Sequence, residues 1–374
     1  MQYSWSLLLI SIFVYTISIF VAKPQVTYFS PQRNNIRKGS KLFFCLLIIN
    51  SVFAFWEYDT YHYWNGFIIA NQYKNFSIES YEAIYNWLAT ISENNFFIWR
   101  ALIWIPACLF MYYTAKRLDL LNRNFLVAML LFGSFLSYTR GMLGHAMLVF
   151  GSVLLVDKKS TTFTQIIGVF IVALSYYFHK SMYVNIIFAI LAFIPFGKKS
   201  INISLILFPF LTIVATYIVD NIASGVLDLS LADGVGGVGD RTIGYVSKEK
   251  TFRNANGILA IIIQFIPQYI ALFYLYRKVM IENIFGKEKR NVYRYLFKLT
   301  YVAFYIASLF FFVNTSNWIY ERFKYMGFFP MVFALGKVWS IEQKSSKTIR
   351  IIILLQGLSI LWMLSYRLYK WYGL

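Results

Sequence analysis

Long apolar runs dominate the chain and alternate with short polar or basic connections. A helix needs about 20 apolar residues to cross the hydrocarbon core of a bilayer, and about twelve runs approach that length. Lipid offers backbone groups no hydrogen-bonding partner and period-two alternation is missing, so we predict that each run is a helix. The predicted spans are residues 3–22, 41–56, 96–115, 124–139, 141–156, 162–178, 181–197, 201–220, 257–276, 295–313, 317–336 and 349–366.

The composition agrees with this pattern and excludes a soluble protein. Of the 374 residues, 59% are hydrophobic and only 14% are charged, which is far more apolar than a typical soluble domain. We therefore predict a single all-α polytopic membrane domain over residues 1–374. Several runs contain only about 17 residues, so the predicted count of about twelve transmembrane helices covers a range of roughly 11 to 13.

The formal net charge of +19 comes from basic residues in every second connection, for example Lys116 and Arg117, Lys158 and Lys159, and Lys198 and Lys199. The positive-inside rule assigns these connections to the cytoplasm, so we expect both chain ends outside. A nucleic-acid-binding protein would gather its basic residues in one stripe. We therefore predict no nucleic-acid partner.

Two longer connections, residues 57–95 and 221–256, fall on the predicted outer side. The second contains closely spaced glycines before Asp240 and Arg241, which would allow its backbone to order over a ligand. We predict that both loops cover a cavity at the outer leaflet. The first loop also predicts an amphipathic helix on the membrane surface, because four apolar residues recur at helical spacing. They are Tyr81, Ile84, Tyr85 and Leu88.

Unusual polar residues follow one another in a characteristic order on this outer side. They are the Asp59-Thr60-Tyr61 triplet, the Glu79-Ser80-Tyr81 stretch, Arg140 at a helix end, the Phe178-His179-Lys180-Ser181 turn, and Glu321-Arg322 with Tyr325. In this order, spread over most of the chain, they resemble the EpsG family, the Wzy-like bacterial exopolysaccharide polymerases. The resemblance implies a multi-span protein of the bacterial inner membrane that joins undecaprenyl-diphosphate-linked oligosaccharides at the outer face. We expect membrane lipid as a partner, a chain-length regulator as a further candidate partner, and no cofactor. By analogy with other lipid-linked-sugar transferases, we expect a GT-C-like arrangement.

This reaction displaces a diphosphate whose developing negative charge must be stabilised. The planar arginine fork binds phosphate oxygens bidentately, and a site close to lipid strengthens the effect. We predict that Arg140 and Arg322 have this catalytic role and that Arg100 is either a further phosphate contact or an interface anchor. Gly141 and Gly144 would allow a lipid phosphate or a helix to approach Arg140 closely. For each arginine, snorkelling to headgroups or a buried ion pair is the alternative.

The acceptor hydroxyl needs a general base. Asp59 is the first candidate because it lies among aromatic residues that could stack on a sugar, although an ordinary aromatic belt also explains these residues. His179 and Glu321 are further catalytic candidates, and a helix cap is the alternative for His179. The predicted substrate-binding residues are Tyr61, Glu79, Tyr81, Arg100, Lys180, Asp240, Arg241 and Tyr325.

Two other classes of function remain open. A lipid-linked sugar flippase would need polar residues through the whole membrane depth, whereas the chief ones are Gln264, Gln268 and Lys298, and no internal repeat is evident. A membrane acyltransferase would need a histidine base near a cytoplasmic donor, whereas His179 falls on the predicted outer side. No outer loop carries a DxD-like motif and the histidines lack metal-ligand spacing, so we predict transfer without a metal ion.

Overall fold

The computed structural model is helical and has no strand in the part of the chain that it describes. The described residues are 42–49, 51–52, 64, 67, 83–93, 95–121, 125, 128–129, 139–178, 182–223, 266–285, 290–310, 317–342 and 347–372. One hydrophobic core joins side chains from Phe43 to Ile352.

The helices are named here in chain order. They are α1 (Ala83–Ile91), α2 (Phe96–Arg117), α3 (Thr139–Val156), α4 (Thr162–Ser175), α5 (Met182–Phe193), α6 (Lys198–Ala223), α7 (Arg290–Leu309), α8 (Asn317–Ile341) and α9 (Lys347–Tyr372). Residues 42–49 and 266–275 are also helical, and the second of these segments continues into a π-helical turn, Tyr276–Ile281. Among the described helices, α2 and the Lys198–Ile218 part of α6 are long and apolar enough to cross a membrane.

The ends of α2 show how local sequence sets a helix boundary. The side chain of Asn95 accepts hydrogen bonds from the backbone N–H groups of Phe97 and Ile98, at 3.1 and 3.2 Å, and so caps the first turn. Lys116 and Arg117 occupy the last turn, where positive charge complements the helix dipole. The predicted span 96–115 is therefore confirmed as a helix nearly residue for residue.

Other predicted spans agree less closely with the structure. α3, α8 and α9 confirm helices at 141–156, 317–336 and 349–366. α5 ends at Phe193, four residues before the predicted end at 197, because Pro195 disfavours helical geometry in the residue before it. Span 3–22 and most of 124–139 lie outside the described residues. The count of about twelve spans and the GT-C-like arrangement stay predictions.

The amphipathic helix predicted in loop 57–95 exists as α1, but its apolar stripe faces protein. Tyr85 and Ala89 are fully buried, and the Trp99 indole N–H donates to the Tyr85 carbonyl oxygen at 3.2 Å. The expectation that this stripe lies on the membrane surface is therefore wrong for Tyr85. Trp99, near the start of α2, provides the aromatic partner of Tyr85. The apolar pattern of loop 57–95 alone does not reveal this partner.

α3 lies at the centre of the described bundle and packs against α2, α4, α5, α7 and α8. Its crossing with α4 is especially close. A Cβ atom built on Gly151 would lie 2.7 Å from the Gly168 carbonyl oxygen, and one built on Gly168 would lie 2.8 Å from that of Gly151. Small residues at such a crossing allow two helix backbones to approach each other.

Helix ends that carry the basic connections meet at one end of the bundle, which we call the basic end. The Nε atom of Arg117 pairs with an Asp157 carboxylate oxygen at 2.7 Å and joins the ends of α2 and α3. The Nζ atom of Lys298 donates to the Ile194 carbonyl oxygen at 2.9 Å and joins the first half of α7 to the segment just after α5. This arrangement agrees with the alternating topology in the sequence, whereas the side of the membrane that it faces stays a prediction.

An ion-pair cluster closes the same end of the bundle. Lys278, after the 266–275 helical segment, pairs with Glu342, after α8, and with Glu282. Glu342 also accepts a hydrogen bond from the Tyr274 hydroxyl. Burial opposes the charge of Lys278, but its hydrogen bonds to Glu282 and Glu342 outweigh burial and raise its pKa. The hydrogen bond from Lys278 likewise lowers the pKa of Glu282.

We expect Glu282→Gln to lower thermal stability at pH 7 by a small amount that disappears in acid. Because the pKa of Glu282 is lowered below 4.5, its stabilising effect is present above that value and is lost as the pH falls through the lowered pKa. The side chain is 29% exposed, so the effect should stay below about 1 kcal/mol. Thermal unfolding of the detergent-solubilised protein at pH 7 and pH 3.5 measures it. An unchanged difference between wild type and variant at both pH values would contradict the assignment.

Candidate functional site

The candidate site lies where α3 begins, next to the reversal between α4 and α5. Arg140 is the second residue of α3, and Gly144 follows one turn later. A Cβ atom on Gly144 would lie 2.8 Å from the Met182 sulfur and 3.3 Å from the Ser175 carbonyl oxygen. This contact confirms a close approach at Gly144, whereas the approach predicted at Gly141 stays a prediction.

The same region of α3 contacts the first half of α8. The Nδ1 atom of His145 lies 3.3 Å from the Met326 sulfur, and its ring stacks on Phe329 with centroids 5.8 Å apart. At 1.5 Å per residue, Arg140 precedes His145 by about 7.5 Å and Arg322 precedes Met326 by about 6 Å along their helices. His145 thus connects α3 to α8.

Helix directions put both arginine positions at the end opposite the basic end. α7 begins at the basic end, where the Tyr293 hydroxyl donates to the Leu118 carbonyl oxygen at 3.2 Å. α8 ends there too. Glu342, just after α8, pairs with Lys278, and Asn283, five residues after Lys278, accepts a hydrogen bond from Arg294 near the start of α7. α2, α3 and α8 therefore all begin at the opposite end, which we call the arginine end after Arg100, Arg140 and Arg322 near their starts.

Arg100 is the arginine of this end whose side chain is described. It is fully buried, its guanidinium donates to the Ser51 carbonyl oxygen at 2.6 Å, and its Cζ atom lies 5.7 Å from the centre of the Phe96 ring. A fully buried guanidinium does not snorkel to headgroups, so the interface-anchor alternative fails for Arg100. Contact with phosphate stays a prediction for it.

Tyr325 lies one turn after Arg322 on the continuous helix α8. Its ring is half-buried, packs against the core and lies 5.9 Å from Phe328. Tyr325 therefore lies on the same continuous helix as Arg322 and Glu321, three and four residues after them. The side chains of Arg140, Glu321 and Arg322 lie outside the described part of the structure.

The remaining predicted site residues lie outside the described residues altogether. Phe178 and Met182, which flank His179 and Lys180, are described, and the turn Tyr176–Phe178 packs against α1 as well as α3. The roles of all these residues stay predictions. They are Asp59, Tyr61, Glu79, Tyr81, His179, Lys180, Asp240 and Arg241.

Sequence reasoning overlooked polar groups that the fold places close to this end. Asn185 of α5 is buried, and its amide lies 3.6 Å from the Met182 sulfur. The backbone carbonyl oxygen of Ser51 accepts a hydrogen bond from Arg100. Because every residue has such a carbonyl group, the sequence does not mark this partner. By contrast, an asparagine inside the apolar run 181–197 does indicate a polar contact from sequence alone, because buried polar groups in such runs require partners.

Metal ligands are not grouped in the described part of the chain, where no three His, Cys, Asp or Glu side chains come together as a metal site would require. Transfer without a metal ion stays a prediction, because most candidate acids lie elsewhere in the chain.

Comparison with known proteins agrees with the order of polar residues. A family model described as the EpsG family matches residues 38–372, nearly the whole chain. Searches of curated proteins and of solved structures gave no match. Together with the apolar helices, the family match indicates an integral membrane protein. Because the match covers nearly its full length, the chain belongs to the EpsG family, a family of Wzy-like polymerases.

Proposed function

We propose that this protein polymerises a surface polysaccharide by transferring glycan between undecaprenyl-diphosphate-linked repeat units at the outer leaflet. Membership of the EpsG family implies a Wzy-like polymerase of surface polysaccharide, such as a capsule, O-antigen or exopolysaccharide. The structural observation that carries the proposal is the shared location of three arginine positions. Arg100, Arg140 and Arg322 occupy the starts of α2, α3 and α8, at one end of the bundle.

Arginines at one end suit the leaving group of this reaction. An acceptor sugar hydroxyl attacks the anomeric carbon of the donor glycan, and the bond from that carbon to the diphosphate oxygen breaks. Negative charge then develops on undecaprenyl diphosphate, where Arg140 and Arg322 would bind it through their guanidinium groups. Arg100, which is buried, would add positive electrostatic potential from inside the bundle. The apolar surroundings would strengthen the interaction of each arginine with the diphosphate.

The proton of the acceptor hydroxyl needs a base in the same region. We assign this role to one of three groups, Asp59, His179 or Glu321, of which Glu321 belongs to the first turns of α8. Tyr325 and the predicted binding residues of the outer loops would then hold the sugars. The active site would face the exterior of the bacterial inner membrane.

The transporter alternative receives no support from the deep polar residues that the structure describes. Gln268 and Gln356 are both fully buried, and the Gln268 amide donates to the Gln356 side-chain oxygen at 2.9 Å. Lys298, which the sequence pattern placed deep in the membrane, lies toward the basic end and is held there by the Ile194 carbonyl oxygen. These groups join helices to one another, whereas a transport pathway needs polar groups exposed to its cargo.

Reconstitution of the purified protein measures the proposed activity. In proteoliposomes containing the undecaprenyl-diphosphate repeat unit of its host, we expect a ladder of longer lipid-linked glycans on a gel, with or without a chelator of divalent metals. Folded protein that gives no ladder, but moves the lipid-linked sugar between leaflets, would overturn the polymerase in favour of the transporter. A ladder that requires a divalent metal would overturn the metal-free mechanism alone.

A further inference from the structure

An apolar groove opens between α6, the 266–276 segment and α7. Its cavity volume is about 150 Å³, and it is open along one side. Its walls are long apolar and aromatic side chains. They include Leu205 and Phe208 of α6, Leu272 and Phe273 of the neighbouring segment, and Tyr301 and Tyr305 of α7.

The tyrosine hydroxyls of this groove are engaged with protein groups. The Tyr305 hydroxyl donates to the Ser204 carbonyl oxygen at 2.6 Å, and the Tyr301 hydroxyl lies 2.5 Å from the Ser204 side-chain oxygen. The Tyr269 hydroxyl is hydrogen-bonded to Ser308. With these polar atoms occupied, the walls present hydrocarbon and ring faces. A sugar would lose its hydrogen bonds to water here, whereas an alkyl chain would lose none.

Basic residues surround one end of the groove. Lys198 and Lys199 precede the lining residue Ile201 by less than one helical turn, and both are exposed. The first turn of α6 carries no acidic residue, and none of the ion pairs in the described chain involves either lysine. Lys298 lies one turn before Tyr301, and its Nζ atom lies 4.7 Å from the centre of the Phe196 ring. This end of the groove is therefore positively charged.

An acidic group and a further basic group also lie nearby. Arg277 follows the lining residue Tyr276 and is paired with Glu282 at 2.7 Å. Glu282 is shared with Lys278, so it does not neutralise the lysines of α6. The excess positive charge around the groove therefore remains with Lys198, Lys199 and Lys298.

Within the described part of the chain, little protein packs against α6. Only 11% of its most apolar 18-residue window is buried, and among the labelled helices it packs chiefly against α7. Ile206, Ile213 and Tyr217 of α6 are each more than 60% exposed. An apolar molecule seated in the groove would add apolar contacts between α6 and α7.

We propose that this groove binds an anionic glycerophospholipid, with one acyl chain between α6 and α7 and its phosphate at Lys198 and Lys199. Basic pockets between transmembrane helices on the cytoplasmic side suit anionic headgroups, and the lysines lie in a connection that the charge pattern assigns to that side. The bound lipid holds α6 against the bundle. It is distinct from the lipid-linked substrate, whose diphosphate belongs to the arginine end. Lys298 lies eleven residues, or about 17 Å, before the end of α7, where the Phe310 ring contacts that of Phe323 beside Arg322.

Lipid binding to the full-length protein in detergent measures the charged part of the site. With phosphatidylglycerol and phosphatidylcholine as probes, native mass spectrometry should show preferential retention of phosphatidylglycerol. Loss of two lysines, at about 1 kcal/mol each, should reduce that preference about 30-fold in Lys198→Gln/Lys199→Gln. The matched control is Lys158→Gln/Lys159→Gln, which removes the same charge from two exposed lysines at the α3–α4 turn. Equal loss in both double variants would show unspecific attraction and overturn the site.

A second pair of variants measures the acyl-chain part without changing charge. Leu205 lines the groove and Leu207 does not, although their exposures are similar at 41% and 46%. Leu205→Trp should lower phosphatidylglycerol retention and remove the thermal stabilisation that this lipid gives, whereas Leu207→Trp should leave both unchanged. Unchanged retention in Leu205→Trp would overturn the proposal. Tighter retention of undecaprenyl phosphate than of phosphatidylglycerol would also overturn it and assign the groove to the carrier.

Discussion

Replacing Arg322 with alanine should abolish polymer formation while leaving the protein inserted and folded. Loss of one preorganised donor to a developing oxyanion costs about 10²- to 10³-fold in rate, so the ladder of lipid-linked glycans should fall at least about 100-fold. Arg322→Lys should recover only part of the activity, because lysine keeps the charge but loses the bidentate fork. Arg140→Ala should have the same effect as Arg322→Ala.

The control for these variants is Arg350→Ala, which removes an exposed arginine from the first turn of α9. It should give a normal ladder. The readout is ladder intensity per folded protein, with folding checked by size-exclusion elution and melting temperature. A normal ladder from Arg322→Ala or from Arg140→Ala would remove that residue from the mechanism. Equal loss in Arg350→Ala would show that the assay reports general charge and not the site.

Gly151→Val should strongly destabilise the helix bundle. A Cβ atom at Gly151 would meet the Gly168 carbonyl oxygen at 2.7 Å and the Val172 Cγ2 atom at 2.8 Å. The carbonyl belongs to the α4 backbone, so α3 and α4 must separate, and overpacking of this kind costs about 1–3 kcal/mol or more. Separation would also shift the start of α3, which carries Arg140. Polymer formation should therefore fall together with stability.

Thermal unfolding in detergent measures this effect, and Gly357→Ala is the matched control. A Cβ atom at Gly357 meets no atom within 4 Å, and alanine has the higher helix propensity, so the control should match or exceed wild-type stability. Gly144→Ala should be milder than Gly151→Val, because its Cβ mainly meets the flexible side chain of Met182. A melting temperature of Gly151→Val equal to that of the wild type would contradict the close crossing of α3 and α4.

Helix positions were largely predictable because lipid offers the backbone of an apolar run no hydrogen-bonding partner outside a helix. The apolar runs at 96–115 and 141–156 correspond to α2 and α3 within two residues at each end. The prediction for α5 was too long because the apolar run continues past Pro195, where hydropathy and backbone geometry disagree. Hydropathy measures the preference for lipid, whereas helix ends depend on caps and on backbone hydrogen bonds.

Whether an apolar helix face meets lipid or protein was not predictable from the sequence. Tyr85 recurs at helical spacing whether its face meets lipid or protein, and only the contact with Trp99 shows that it meets protein. Arg100 is a similar case, because a single arginine in an apolar run is compatible with snorkelling or with burial. The Ser51 carbonyl oxygen decides between them and lies 49 residues away in sequence.

The sequence alone determined the class of protein, the approximate positions of its helices and its family, because apolar length, basic connections and the order of rare polar residues are properties of a linear chain. The tertiary structure decided which helix ends meet. The starts of α2, α3 and α8 lie at the same end of the bundle, and contacts such as that of His145 with Met326 join α3 to α8 between residues far apart in the chain. It also decided that the walls of the groove beside α6 are apolar, because the tyrosine hydroxyls find partners only after the helices have packed. Such contacts depend on helix rotation and crossing, and neither is encoded in the hydropathy of one segment.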